Sequence, residues 1–337
     1  MTRPALKAFQ RVLCGGHWLL RAGVQREWIQ ALRLQWAGGE KTSTQRRNTR
    51  LKCGMPRTET CLFHGLPAVR LSAADGSSAI VTLHGAHVVS WKTPQGVEQL
   101  YLSPNTRFES GQAIRGGVPV VFPQFNTRGV LPRHGFARTC RWAVVEDSPA
   151  AEDACSVTLA LQSHKVIKSL WPYAFSCALT VALQDDSLVM TLAISNLGAE
   201  AFSFQAALHT YLAVGAIDSV NLSGLDGSSF EDATEAGANA ITPHAALRPH
   251  ETIDRIYFDA PAALQLHSAL GTMELQHSGF NDLVVWNPGG FGANSPPDLP
   301  QDGYKHFLCV EAARIGKPVV LESAQQWSGT QTIRAAR

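Results

Sequence analysis

From about residue 60 onward the chain is written with a period of two. In Phe175-Ser-Cys-Ala-Leu-Thr-Val-Ala-Leu183 the large apolar side chains fall on every second position, and Val157, Leu159 and Leu161 alternate with small or polar neighbours between Ser156 and Gln162. Comparable short runs recur at Ile80–Leu83, Val88–Trp91, Leu188–Ile194, Phe202–Leu208, Leu283–Trp286, Phe307–Val310 and Val319–Leu321. Turn chemistry separates them: Asp75-Gly76, Pro94-Gln-Gly96, Gln184-Asp-Asp186, Asn196-Leu-Gly198, Asp226-Gly227 and Asn287-Pro-Gly-Gly290. Successive side chains of a strand point to opposite faces, so alternation of this kind buries one face of a sheet. Many short strands with frequent turns and no helical segments between them predict an all-β fold, a large antiparallel β-sandwich. No repeat of fixed period favours a propeller. A length of 337 residues is within reach of one large sandwich.

Residues 1–57 are different and are read as a basic N-terminal extension, poorly ordered or helical, with the sandwich spanning 58–337. Between His17 and Trp36 the residues Leu19, Leu20, Val24, Trp28, Ile29, Leu32 and Trp36 fall at rough helical spacing, with Arg21, Arg26 and Arg33 among them. A transit peptide and a membrane-surface helix both fit such a segment. So do a disordered extension and a start codon called too early, with Met55 as the true beginning. The last two are the simpler expectation, because strand-like patterning begins only after Met55.

The formal charge of +2 conceals a division: residues 1–54 hold 11 of the 29 Lys and Arg but only two acids, Glu27 and Glu40. The remainder carries a net charge of −7. An acidic body argues against a nucleic-acid surface, which demands clustered Lys and Arg. No run approaches the roughly 18 apolar residues of a membrane-spanning helix. Seven scattered cysteines form no Cys-x-x-Cys pair, and the histidines show no ligand spacing, so neither a disulfide framework nor a metal site is expected. A reducing cytoplasm and a monomer are the simplest setting.

The most unusual stretch is Ile114-Arg-Gly-Gly-Val-Pro-Val-Val-Phe-Pro-Gln-Phe125, followed by Leu131-Pro-Arg-His-Gly-Phe-Ala-Arg138. Two glycines after Arg115 permit positive φ or close backbone approach to a ligand. Arg115 and Arg138 flank His134 and Arg128, and guanidinium groups match phosphate geometry through bidentate hydrogen bonds. A surface loop whose arginines pair with local carboxylates fits equally. Glu311 lies in the apolar run Phe307-Leu-Cys-Val-Glu-Ala-Ala313, where burial raises a carboxylate's proton affinity as in a general base; a strand-end residue facing solvent is the alternative. His209 ends the run Phe202–Leu208, where a satisfied core histidine is the plainer reading.

These segments, taken together, resemble the hexose-6-phosphate mutarotases (glucose-6-phosphate 1-epimerases) of the aldose 1-epimerase superfamily. Ile-Arg-Gly-Gly-Val-Pro, then Phe-Pro and His-Gly-Phe-Ala-Arg with Trp142, carry the likeness. Further matches are Gly85-Ala86 with Ser90-Trp91, Leu208-His-Thr-Tyr-Leu212, Glu251-Thr-Ile-Asp-Arg-Ile-Tyr257, Asp282-Leu-Val-Val-Trp-Asn-Pro288, Tyr304 with Phe307–Ala313, and Trp327-Ser-Gly329. The resemblance implies a galactose mutarotase-like supersandwich that needs no cofactor and acts on a small sugar phosphate. It also implies His209 as the acid at the ring oxygen and Glu311 as the base at the anomeric hydroxyl. His134 and Asp254 would hold sugar hydroxyls, and Arg115 and Arg138 would take the 6-phosphate. Two departures bear on sugar preference: Gln124 stands where many relatives have tryptophan, as a hydroxyl ligand or a space-filler, and Gly289 replaces another frequent tryptophan. An epimerase of free sugars and a non-catalytic carbohydrate-binding protein are the alternatives.

Overall fold

The computed structural model describes residues 56–145, 155–184, 186–235, 238–243, 245–249, 252–290 and 296–336. The extension expected over 1–57 lies outside the described residues apart from its last two, and Arg57 already belongs to a strand.

Twenty strands are found among the described residues, arranged in three antiparallel sheets. The first sheet runs in chain order through β1 (Arg57–Phe63), β2 (Leu66–Ser72), β3 (Ser78–Thr82) and β4 (His87–Lys92). The second comprises β5 (Val120–Val121), β10 (Phe202–Leu208), β11 (Tyr211–Ala213), β13 (Ser229–Asp232), β14 (Ala238–Ile241), β15 (Ile253–Tyr257), β18 (Asp282–Asn287) and β19 (Phe307–Leu321). Its order is β14-β13-β15-β18-β19-β10-β5, with β11 also on β19. The third contains β6 (Ala143–Val144), β7 (Cys155–Gln162), β8 (Phe175–Gln184), β9 (Ser187–Asn196), β12 (Asn221–Ser223), β16 (Ala263–Ser268), β17 (Gly271–Ser278) and β20 (Gln326–Ala335), ordered β12-β16-β17-β20-β9-β8-β7-β6. Among the described residues one short α-helix, α1 (Lys165–Leu170), sets Ile167 into the core. The expected all-β sandwich is what the chain forms.

Alternation decides which face goes where. On β19 the even residues Leu308, Val310 and Ala312 join the main apolar core, with Leu283 and Val285 of β18 and Phe204, Ala206 and Leu208 of β10. Phe122 is central to that core, its ring 5.3 Å from Phe175, 5.4 Å from Trp171 and 5.5 Å from Phe204. Burial of each such side chain contributes roughly 1.5–3 kcal/mol. As far as Ile315 the odd residues of β19 face the other way; beyond a register irregularity Leu321 returns to the main core. On the face away from that core Ala313 and Ile315 pack with Ile256, Val284, Ala207, Val121 and Phe125 in a separate small cluster. The second sheet therefore has one face sealed in the sandwich and another that carries the chemistry.

Candidate active site

The second sheet brings His209 and Glu311 together by register. On one side of a gap between β10 and β11, Leu208 pairs with Ala312; on the other, Tyr211 pairs with Cys309. The register is continuous across the gap, so His209 stands opposite Glu311 on the odd face. Its backbone N–H donates to Pro119 O at 3.0 Å, and the Val310 N–H donates to Thr210 O at 3.1 Å. His209 Nδ1 lies 3.2 Å from Glu311 Oε1. This is ion-pair distance without hydrogen-bond alignment, and both His209 Nδ1 and Glu311 Oε2 are buried polar atoms with no hydrogen-bond partner. His209 is 7% exposed and Glu311 1%.

Burial acts on the two groups in opposite senses. It pushes the Glu311 carboxyl well above its ordinary range, with the nearby Asp254 charge adding to the effect, while Arg133 and Arg138 pull it back. It pushes the His209 imidazole well below 6.5, and Arg138 and Arg115 press in the same direction. Both members thus favour their uncharged forms. The 3.2 Å contact sets the imidazole beside a carboxyl whose burial favours its protonated form.

The neighbouring rows of the sheet supply the walls. Trp286 pairs with Cys309 on one side and with Asp254 on the other, and strand alternation sets Asp254, Trp286, Glu311, His209 and Tyr211 on one face. Tyr211 stacks on His209, ring centres 4.9 Å apart and planes 9° apart, and Trp286 meets both rings edge-on. Asp254 is partly buried, which raises its carboxyl to about 6 against the opposing pull of Arg133. His134 reaches the site from the loop, its ring 5.5 Å from that of His209. Its Nδ1 accepts from the Asn126 N–H at 3.3 Å. Burial, then Arg138, keeps the ring neutral, so Nε2 carries the hydrogen and is a donor.

The arginines divide. Arg115 is held by two groups: Nε donates to Asp298 Oδ1 at 3.0 Å and Nη1 to the Tyr211 hydroxyl at 2.9 Å. Its segment is pinned by His84 and His87, whose Nε2 atoms contact Gln112 O at 2.6 Å and Gly116 O at 2.7 Å. The two glycines that follow meet protein and not ligand: a Cβ on either would lie 2.3 Å from the carbonyl oxygen of Tyr101 or of Val88. Arg138 donates from Nη2 to Arg133 O at 2.9 Å and buries an unpartnered Nε. Burial, then the charge of Arg115, lowers it to about 10, so it stays protonated at neutral pH. Arg128 pairs with Glu231. The Gln124 amide serves its own loop, donating to Asn126 O and Leu131 O and accepting from the Leu131 N–H. At Gly289 φ is +66 and a Cβ would fall 2.5 Å from Thr252 N, so no tryptophan fits there.

Sequence reasoning missed Arg133 and Asp298 altogether, and quoted Tyr211 and Trp286 without assigning them a part. Arg133 had a signal in its position next to His134; Asp298, 183 positions from Arg115, had none. The donor atoms of His209, Cys309 and Glu311 fall within 4.8 Å of one another, which is metal-ligand spacing. However, burial, followed by the Glu311 charge, holds the Cys309 thiol protonated, and three guanidinium groups press on the site. That field favours an anion over a cation. A separate cleft of about 520 Å³, lined by Arg70, Lys92, Glu98, Tyr101 and His306 among others, includes none of His134, His209, Asp254 or Glu311.

The aldose 1-epimerase family profile matches residues 67–334. The chain belongs to the aldose 1-epimerase family. Two relatives carry the name "Putative glucose-6-phosphate 1-epimerase". One, from Cenchrus ciliaris, is 34% identical over 280 residues, covering 80% of this chain and 85% of the relative. The other, from Escherichia coli, is 34% identical over 263 residues, covering 77% and 87%. The crystal structure of a "putative mutarotase" from Salmonella typhimurium superposes with a TM-score of 0.73 at 31% identity, over 83% of this chain and 94% of that one. As an aldose 1-epimerase family member the chain has a galactose mutarotase-like fold and is a sugar epimerase by class. Among its described residues no helix is long and apolar enough to cross a membrane.

Proposed function

We propose that this epimerase interconverts the α and β anomers of a hexose 6-phosphate, glucose 6-phosphate in the first place. The observation that carries this reading is the imidazole–carboxyl contact of His209 and Glu311, buried and otherwise unpartnered. Opening a pyranose removes the proton of the anomeric hydroxyl while the ring oxygen gains one. The two oxygens are bonded to the same carbon, so the reaction needs an acid and a base side by side.

The pair needs one proton between its two members. The uncharged form, with the proton on Glu311, and the ion pair, with the proton on His209, contain the same number of protons. A short transfer within the pair therefore readies it without help from solvent. In the ion-pair form Glu311 takes the anomeric proton and His209 gives its own to the ring oxygen. The bond to the open aldehyde carbon then rotates, and closure on the other face reverses both transfers. The neutral His134 offers an N–H donor to a sugar hydroxyl and Asp254 a carboxylate acceptor. Trp286 supplies an apolar wall for the ring.

The guanidinium groups of Arg115, Arg133 and Arg138 support a phosphorylated substrate, since a free sugar brings no charge to balance them. One observation favours a free-sugar aldose 1-epimerase instead: Arg115 is already engaged by Asp298 and Tyr211. Two-dimensional exchange NMR on glucose 6-phosphate and on glucose, with and without the protein, decides between them. Faster exchange of the phosphorylated sugar is the expected result. Faster exchange of glucose alone moves the assignment to free sugars, and no acceleration of either leaves a carbohydrate-binding protein.

A further inference from the structure

Arg115 and His209 are joined through one side chain. The Tyr211 hydroxyl accepts from Arg115 Nη1 at 2.9 Å, and its ring lies flat against the His209 imidazole at 4.9 Å. Tyr211 is 1% exposed and cannot turn away to solvent. Trp286 and Phe307 confine it further, with ring centres 6.0 and 5.1 Å distant. The stem side of the guanidinium, Nε, is fixed by Asp298 at 3.0 Å, and the Ser103 hydroxyl donates to Asp298 O at 2.6 Å. A displacement of the guanidinium toward an anion thus pulls on a hydroxyl whose ring is the floor under the imidazole. Charge acts in the same direction, because Arg138 and Arg115 both help to hold His209 neutral and an anion against them relaxes that hold.

We propose that Tyr211 is a positioning residue that couples occupation of Arg115 by the substrate's phosphate to the placement of His209 against Glu311, with Asp298 as the fixed end of the lever. This rests on the reading of the substrate as a hexose 6-phosphate. The phosphate then does more than anchor the sugar: energy from binding a remote, unreacting group is used at the reacting carbon, and it registers in kcat. A phosphate that only anchored would register in KM.

Tyr211→Phe removes the hydroxyl and keeps the stacked ring. For this variant kcat on glucose 6-phosphate is expected to fall about tenfold more than kcat on glucose, the scale of a typical coupling between sites, with KM for glucose 6-phosphate little changed. Asp298→Asn, at a partly exposed residue, tests the other end of the lever and should give a smaller loss of the same kind. A second arm uses inorganic phosphate added to glucose. The wild-type protein should exchange the anomers of glucose faster with phosphate present, and Tyr211→Phe should not respond. The coupling is overturned if Tyr211→Phe keeps the wild-type kcat on glucose 6-phosphate, if it loses activity equally on both sugars, or if inorganic phosphate accelerates both proteins or neither. A wild-type protein that exchanges neither sugar refutes the functional reading itself, which is a different result.

Discussion

The hydroxyl of Thr210 donates to Gln331 Oε1 at 2.6 Å, joining the residue after His209 to a strand 121 positions later. The same Gln331 donates from Nε2 to Val310 O at 3.0 Å, one position before Glu311. A single buried amide thus joins the two chain segments one position from the acid–base pair, beside the Val310 N–H to Thr210 O bond.

Thr210→Val should therefore cost both stability and activity. It leaves Gln331 Oε1 buried without a donor, a loss of about 1–3 kcal/mol in urea denaturation. With His209 no longer held to its position, kcat should drop by roughly ten- to a hundredfold. Thr210→Ser keeps the hydroxyl and should retain most of both. A Thr210→Val protein with normal kcat would show that the gap is held elsewhere.

His209→Ala and Glu311→Gln should each lower kcat by about 10²- to 10⁴-fold in folded proteins. Glu311→Gln should also melt at a higher temperature than wild type at neutral pH. The sign follows from linkage: the raised carboxyl binds more protons folded than unfolded, so stability falls as pH climbs from about 4.5 through the folded value. His209 works in the other sense, its lowered value removing stability as pH falls below about 6.5. The melting advantage of Glu311→Gln should accordingly vanish near pH 4. Lower stability of the variant at neutral pH would contradict the account of a carboxyl strained by burial.

For kcat/KM on glucose 6-phosphate a bell-shaped pH profile is expected, because activity needs one proton on the pair. Its acid limb should lie below 6.5, where His209 takes a second proton, and its alkaline limb above 4.5, where Glu311 loses the only one. Both limbs belong to the coupled pair and not to a single residue. A profile that lacks either limb would rule out proton sharing as the basis of activity.

Asp254, with its carboxyl raised to about 6, should be felt in binding. Substrate KM is expected to rise as pH falls through about 6 and the acceptor is protonated. Asp254→Asn should raise KM at neutral pH by about tenfold, the value of a hydrogen bond to a charged group, and flatten its pH dependence. Persistence of the same pH dependence in the variant would assign it to another group.

Much of the sheet was legible from alternation alone: the run Phe202–Leu208 is β10 residue for residue. The runs at Phe307 and Val319 read as two strands but form one, β19, fifteen residues long. The polar and glycine-containing stretch from Arg314 to Pro318 breaks the pattern, while the Asp282 carboxylate holds the strand by accepting from the Ile315 and Gly316 N–H groups at 2.6 and 2.8 Å. A carboxylate 33 positions away leaves no local trace. The strands β16, β17 and β20 passed unread because only two or three large apolar residues alternate in each, as Leu264 and Leu266 do in β16 and Met273 and Leu275 in β17. At the site, the resemblance named the titrating residues, but the register that seats 209 opposite 311 is a property of strand pairing. The Asp298 contact to Arg115 joins two loops with no periodicity to read.

The parity of β19 constrains how this enzyme can change. One residue inserted or deleted between Phe307 and Val310 exchanges the two faces as far as the register irregularity that follows Arg314, turning Glu311 toward the apolar core and presenting a valine or an alanine to the substrate. Length variation in that part of the strand must come in steps of two or be absorbed by a bulge, whereas hairpin turns such as Asp75-Gly76, between the paired strands β2 and β3, tolerate single steps. Catalysis and core packing are thus kept in phase by one strand, and neither can drift without the other.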